Sequence, residues 1–370
     1  MAFLNHGSFG AVPRVVLAAQ DEWRRRVERQ PVRFLVRELE PALRAAAGAL
    51  GTFLGVAGED LVFVDNVTMA ANTVLRSLRM GPGDEVVFTS HGYGAVNKAV
   101  RFACDWCGAT AVEARVPFPI DGDDAVVEAV AEVLTERTRL VVVDHVTSAT
   151  ALVLPVARIA SACRARGVPV FVDGAHGPGM LDVDIAALGV DYYTGNCHKW
   201  LFAAKGTGFL WVAPQRQAAV HPLVVSWGYG ESFTKAFDWP GTKDFSPWLA
   251  LTAALQFYQR MGGAALRTRN NALAAEAATM LEEAWGVAPA APRTMNAAMV
   301  TIALPIAGEV SKALGDRVHD TLADDYGVEV PIIWFAERLW LRISVQAYNE
   351  RGDYERLREV GAAGIEGLRD

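Results

Sequence analysis

The sequence predicts an α/β fold with a mostly parallel central sheet, helices on both faces, and a smaller C-terminal α+β domain. Three observations carry this prediction. Short runs of branched apolar residues alternate with longer helical stretches through residues 56–262, as expected for strands joined by crossover helices. Several of those runs stop abruptly in polar residues, as buried parallel strands do where they open onto a cleft. After the Pro-rich break at residues 289–292 the composition changes and the regular alternation is lost.

The elements follow in order. Leu4-Asn5-His6-Gly7-Ser8-Phe9-Gly10 reads as a glycine-punctuated loop whose polar side chains sit between apolar anchors, a terminus tied onto a site. Pro13 opens helical stretches expected at about Arg14 to Arg29 and Arg33 to Leu54. Leu61 to Val64 is a strand, and Asp65-Asn66-Val67-Thr68 leads into a helical pattern from Met69, a start suited to a phosphate or to simple N-capping. Glu85 to Phe88 is the next strand, with Tyr93 between two glycines shortly after its end, placed to lie on a planar ring or to pack in the core.

The alternation continues with a strand at about Ala109 to Ala114, a helix from Asp123 to Thr135, a strand Leu140 to Val143 running into Asp144-His145-Val146-Thr147-Ser148, and a helix from Val156 to Arg166. Val170 to Asp173 and Gly206 to Val212 supply further strands, and long helices are expected at Pro247 to Met261 and Ala264 to Trp285. In the last part, strands at Ala298 to Leu304 and Leu339 to Val345 combine with helices at Val310 to Tyr326 and Tyr354 to Leu368. The expected division is 1–55, contributing to the site and the small domain, 56–262 as the large domain, and 263–370 as the small one.

With 370 residues and 52% apolar character the chain can bury a large core. A net charge of -7 argues against nucleic acid or an anionic membrane as partner. Four cysteines are too few for a disulfide framework, so a reducing, cytoplasmic setting is expected. Cys104 and Cys107 have metal-ligand spacing but no second pair, and read as one helix face rather than a zinc site. No uncharged run is long enough for a membrane span, and the first residues lack the pattern of a signal peptide.

The chemistry centres on residues 170–200. Val170-Phe-Val-Asp173-Gly-Ala-His176 delivers a carboxylate and an imidazole to a strand tip, and Asn196-Cys-His198-Lys199-Trp200 places a lysine among apolar neighbours. A strand-end Asp with a partly buried Lys is the pairing that pyridoxal phosphate requires: the amine forms a Schiff base with the aldehyde, and the carboxylate pairs with the pyridine nitrogen. On these two residues alone, a capping Asp173 and a snorkelling Lys199 explain the pattern equally well. Arg342 is a cation in an apolar strand and must hold a carboxylate of the protein or of a ligand.

Together these residues resemble the fold-type I pyridoxal phosphate enzymes of aminotransferase class V, and more closely the isopenicillin-N-epimerase-like branch, which includes amino-acid epimerases and carbon–sulfur lyases. The resemblance spans nearly the whole chain, and rests on Asp-Gly-Ala-His, His-Lys-Trp and Gly-Thr-Lys-Asp occurring in this order. It implies that Lys199 holds the cofactor and moves the Cα proton, that Asp173 pairs with the pyridine nitrogen, that His176 partners the ring hydroxyl, and that Tyr93 stacks on the ring. It further implies a phosphate held by Val67, Thr68, Asn196 and His198, and by Thr242 from a second subunit, hence a homodimer with shared sites. Arg342 corresponds to the clamp on the substrate α-carboxylate, with Asn5, His6 and Ser148 as further substrate-side candidates.

The expected reaction is β-elimination from a cysteine S-conjugate or sulfoxide in secondary metabolism, which needs only Lys199 and a leaving group at Cβ. Epimerisation is the alternative and would need a second acid/base, for which His6, His91 or Tyr93 are candidates. Decarboxylating or oxidative deamination, or a non-catalytic binding role, are the remaining readings. A desulfurase mechanism lacks its cysteine, since the segment from Val328 to Leu341 contains none.

Overall fold

The computed structural model describes residues 1–306 and 310–366, with no side-chain detail for 362–366. In chain order the strands are β1 (Ala2–Phe3), β2 (Leu61–Val64), β3 (Glu85–Thr89), β4 (Thr110–Ala114), β5 (Thr138–Asp144), β6 (Val170–Asp173), β7 (Tyr192–Asn196), β8 (Gly208–Val212), β9 (Met299–Ala303), β10 (Val328–Glu329), β11 (Ile332–Phe335) and β12 (Arg338–Ser344). Strands β2 to β8 build one sheet in the order β2-β8-β7-β6-β5-β3-β4. The pairs are parallel except that β8 is antiparallel to both of its neighbours. It follows β7 without a crossover helix and so returns in the opposite direction.

Strand periodicity explains the layers. Leu61, Phe63, Val141 and Val143 enter one apolar core while Val62, Val64, Leu140 and Val142 enter another, because successive residues point to opposite faces. Helices Val67–Ser77 and Gly94–Cys107 cover the second face; Leu39–Leu54, Asp123–Val133, Val156–Arg164 and Leu251–Arg260 cover the first. A second, antiparallel sheet of order β11-β12-β9 packs with helices Ala264–Trp285, Lys312–Asp324 and Arg351–Glu366 around its own core.

The sequence reading needs four corrections. The supposed loop at Leu4 to Gly10 contains a turn of helix, His6–Phe9, ended by Gly10 at φ 69°. Residues 1–55 do not act as one unit. β1 pairs with β10 and Leu4 joins the small core, whereas helices Arg14–Arg29 and Leu39–Leu54 pack on Ser246–Leu249 and Leu251–Arg260 in the large one. Periodicity announces a buried stripe but not what covers it. The two-residue strands β1 and β10 and the half-buried β11 were not anticipated, since pieces so short carry no alternation. The segment after Trp227 carries a short helix, Phe233–Asp238, capped by Ser232. The end of the final predicted helix, at Leu368, lies outside the described residues. Among the described residues no helix is long and apolar enough to cross a membrane.

Candidate active site

The carboxyl ends of β2, β3, β5, β6 and β7 meet at one edge of the sheet, and the residues that follow them line a cavity of about 390 Å³. Asn66, Val67 and Thr68 come from the end of β2, Tyr93 from beyond β3, Asp144 from β5, Asp173 and His176 from β6, and Asn196, His198 and Lys199 from β7. Ser8, Phe9 and Ser148 complete the wall. Strand ends gather here because parallel strands all aim their carboxyl ends the same way, leaving polar loops at one edge and apolar runs within.

Lys199 and the buried Asp173 line the same cavity. Lys199 Nζ is 3.1 Å from His176 Nε2, and Trp200 Nε1–H donates to His176 Nδ1 at 3.1 Å. Burial keeps His176 neutral, well below the usual imidazole range. A neutral ring whose Nδ1 accepts from Trp200 carries its proton on Nε2, so it donates to Lys199, and only an uncharged amine can accept. Burial and then the nearby Arg342 guanidinium bring Lys199 down to about 8, so this amine gives up its proton far more readily than an ordinary lysine.

Asp173 Oδ1 accepts from Ala175 N–H at 2.9 Å, while Oδ2 is buried without a partner among the described residues. Burial raises its carboxyl to about 6. Asp144 is the direct register partner of Asp173 on the adjacent strand and shares its face of the sheet. Burial, then the neighbouring Asp173, hold Asp144 well above the carboxylate range. The sequence reading passed over Asp144, although its apolar run ends in Asp in the same way as Val170 to Asp173.

At the other end of the cavity, Asn66 Oδ1 accepts from Met69 N–H and Asn196 Oδ1 from Val67 N–H, each at 3.0 Å, so the two asparagines fix the start of the Val67–Ser77 helix. His198, lowered to about 4 by burial, leaves its Nδ1 enclosed and unpartnered among the described residues. Tyr93 is 44% exposed and belongs to the cavity wall, not to the core.

Arg342 is buried in β12. Its Nη1 donates to Ser148 O at 2.5 Å and to Ser148 Oγ at 3.3 Å, and Nη2 to Ser8 Oγ at 3.1 Å, while Nε is enclosed without a partner among the described residues. No protein carboxylate is among these partners. Gly10 is required where the N-terminal segment crosses the site, since a Cβ there would lie 2.4 Å from His198 O, on backbone of positive φ.

Not every anticipated residue reaches the cavity. His6 is fully buried behind Lys199. Its Nε2 lies 3.1 Å from Lys199 O and must donate, since a carbonyl only accepts, leaving Nδ1 to accept from the Tyr348 hydroxyl at 2.8 Å. Asn5 is turned toward Glu329 and Ser8. His91 is bonded to Thr150 and to Val116 O, away from the wall. Thr242 is exposed and lines a neighbouring cleft with Asp65, Lys243 and Trp248. The cysteines are also elsewhere: burial pushes Cys104 and Cys163 to about 11 and Cys197 higher still, and Cys107 Sγ faces Ala103 O within its own helix.

These residues fit pyridoxal phosphate. A buried carboxylate oxygen without a partner among the described residues suits a protonated ring nitrogen, the lysine amine in the same wall is lowered toward its free form, and a helix start with an unpartnered imidazole beside it suits a phosphate.

The family model for aminotransferase class V matches residues 3–357. The chain is 34% identical to a probable chloroplastic L-cysteine desulfhydrase of Arabidopsis thaliana, over 97% of this chain and 82% of that protein. It is equally 34% identical to isopenicillin N epimerase of Amycolatopsis lactamdurans, over 96% of this chain and 93% of the epimerase. Among solved structures, the cystine C–S lyase C-DES in complex with its product cysteine persulfide superimposes with a TM-score of 0.82 at 24% identity, covering 97% of this chain and 96% of that one. That likeness speaks to the fold.

Proposed function

Because the chain belongs to the aminotransferase class V family, whose cofactor is pyridoxal phosphate, we propose that it is a carbon–sulfur lyase removing a sulfur leaving group from Cβ of a cysteine derivative. The observation that carries this reading is that Lys199 supplies the one lysine amine lining the cavity, while His6 and His91 are held away from it by other bonds and Tyr93, which does line it, is taken up as the flat face for the ring. Elimination needs one base at Cα, whereas racemising that carbon needs a second on the opposite face.

Bound here, the cofactor supplies an electron sink that weakens the bonds at the substrate's Cα. Asp173 would pair with the ring nitrogen, Tyr93 would offer a flat face to the ring, and Val67, Thr68, Asn196 and His198 would take the phosphate. Arg342, flanked by Ser8 and Ser148, holds the α-carboxylate. Lys199 Nζ takes the Cα proton, after which the Cβ–S bond breaks and the electron pair leaves with sulfur as a thiolate. His176, through its bond to Trp200, keeps that amine free to accept the proton. No cysteine reaches the wall, which leaves a persulfide-forming desulfurase without its nucleophile.

Thr242 and the exposed Val224, Val225 and Trp227 fit a homodimer in which Thr242 completes the partner's phosphate site. Four free thiols suit a reducing, cytoplasmic setting. Incubation with S-substituted cysteines is the test. Pyruvate and free thiol in equal amounts are expected; solvent deuterium entering Cα with neither product would favour the epimerase.

A further inference from the structure

The polar groups behind Arg342 form a chain with one possible direction. Arg342 Nη2 donates to Ser8 Oγ at 3.1 Å, Ser8 Oγ donates to Asn5 Oδ1 at 2.5 Å, and Asn5 Nδ2 donates to Glu329 Oε1 at 2.8 Å. The carboxylate at the end can only accept, so the Asn5 amide must turn its nitrogen to Glu329 and its oxygen to Ser8. That oxygen takes the Ser8 proton. The serine is left with lone pairs facing the guanidinium, and it lines the cavity in that state. His319, 3.3 Å from Glu329 Oε1, closes the outer end.

The backbone holds the chain in place. Phe3 pairs with Glu329 across β1 and β10, Leu4 N–H donates to Glu329 O, and Ser344 N–H, two residues from Arg342, donates to Leu4 O. An arginine buried in an apolar strand with no carboxylate on it needs its charge answered from somewhere. Three hydrogen bonds carry the polarity of Glu329 inward without placing a carboxylate where a substrate carboxylate must go.

We propose that Glu329 and Asn5 are positioning residues that set the proton of Ser8 and thereby hold Arg342 ready for the α-carboxylate of an amino-acid substrate. This rests on the reading of the cavity as an amino-acid site and adds residues outside it that decide the selectivity for a carboxylate.

The test exploits the direction of the chain. Glu329→Gln has the same shape but no longer dictates the direction of the chain: with its nitrogen turned to Asn5 it flips that amide and reverses Ser8, setting a donor against the donors of Arg342, a state the carboxylate forbids. In the cofactor-loaded protein, binding would be read from the change in visible absorbance on adding L-cysteine or cysteamine, the same molecule without its carboxylate. E329Q is expected to weaken L-cysteine about tenfold, the cost of a misdirected buried hydrogen bond, while leaving cysteamine and cofactor affinity unchanged.

The double variant N5D/E329Q restores an acceptor toward Ser8 and is expected to recover L-cysteine binding to within about threefold. Wild-type behaviour of E329Q, an equal loss for both ligands, or no recovery in N5D/E329Q would overturn the proposal. Should E329Q not fold, N5D/E329Q decides alone, since wild-type preference for L-cysteine over cysteamine is expected there and its loss counts against the relay. A wild-type protein that takes up no cofactor, or responds to neither ligand, would instead refute the functional reading itself.

Discussion

At the residue scale the site turns on which nitrogen carries a proton. Trp200 donates to His176 Nδ1, and this leaves His176 Nε2–H pointing at Lys199. A lysine attacks an aldehyde only as the free amine, so cofactor uptake should accelerate as pH rises through about 8, where burial and Arg342 place Lys199, rather than near the ordinary lysine value. Stopped-flow absorbance of the visible band would measure it. Trp200→Phe frees His176 to move its proton to Nδ1 and accept from a charged lysine, so the midpoint should rise by about one unit. Lys199→Ala should remain folded but give no band that borohydride fixes to the protein and no turnover. Asp173, His176 and Lys199 could be picked from the sequence because each stands at the abrupt end of an apolar run. Trp200 was read there only as an apolar neighbour, because a hydrogen bond between residues 200 and 176 depends on how two loops meet.

At the scale of elements, the strand tips and one helix start do the work. The Val67–Ser77 helix begins two residues earlier than the Met69 pattern suggested, because Asn66 Oδ1 caps Met69 N–H and Asn196 Oδ1 takes Val67 N–H. Asn66→Ala should cost about 1 kcal/mol of stability as the lost cap, measured by urea unfolding of the cofactor-free protein, and should weaken cofactor binding as the helix start loosens. Asn66→Ser, which can still cap, should retain most of both. The Asn66 signal was legible as capping chemistry. The contribution of Asn196 was not, since it reaches the helix from a strand 129 positions away in sequence.

At the scale of the whole molecule, the large sheet supplies most of the cavity wall and the small layer sets Arg342 behind Ser8 and Ser148 of that wall, with the N-terminal segment stitched to both. β1 joins β10, while Gly10 packs on the backbone of His198 and Lys199. Thr242 is left outside the cavity of its own chain, which leads to a test of the dimer. Mixed Thr242→Ala and Lys199→Ala proteins, unfolded and refolded together, should form hybrids with one intact site and recover activity that neither parent shows in full. Sedimentation of the wild type should give twice the mass of a 39.9 kDa chain. Activity that only averages the two parents would remove Thr242 from the partner's site.

The sequence by itself determined the layered α/β architecture and the cluster of polar residues at the strand ends, Asp173 and Lys199 among them, because alternation and abrupt changes of polarity are local and survive in one dimension. Only the tertiary structure decided that the helices from Arg14 to Leu54 serve the large core, that Asp144 stands beside Asp173, that His6 and His91 turn away from the cavity, and that Glu329 speaks to Arg342 through Asn5 and Ser8. Those outcomes depend on which buried faces and polar atoms meet across long stretches of chain, and pairings of that kind leave no periodic mark on the sequence.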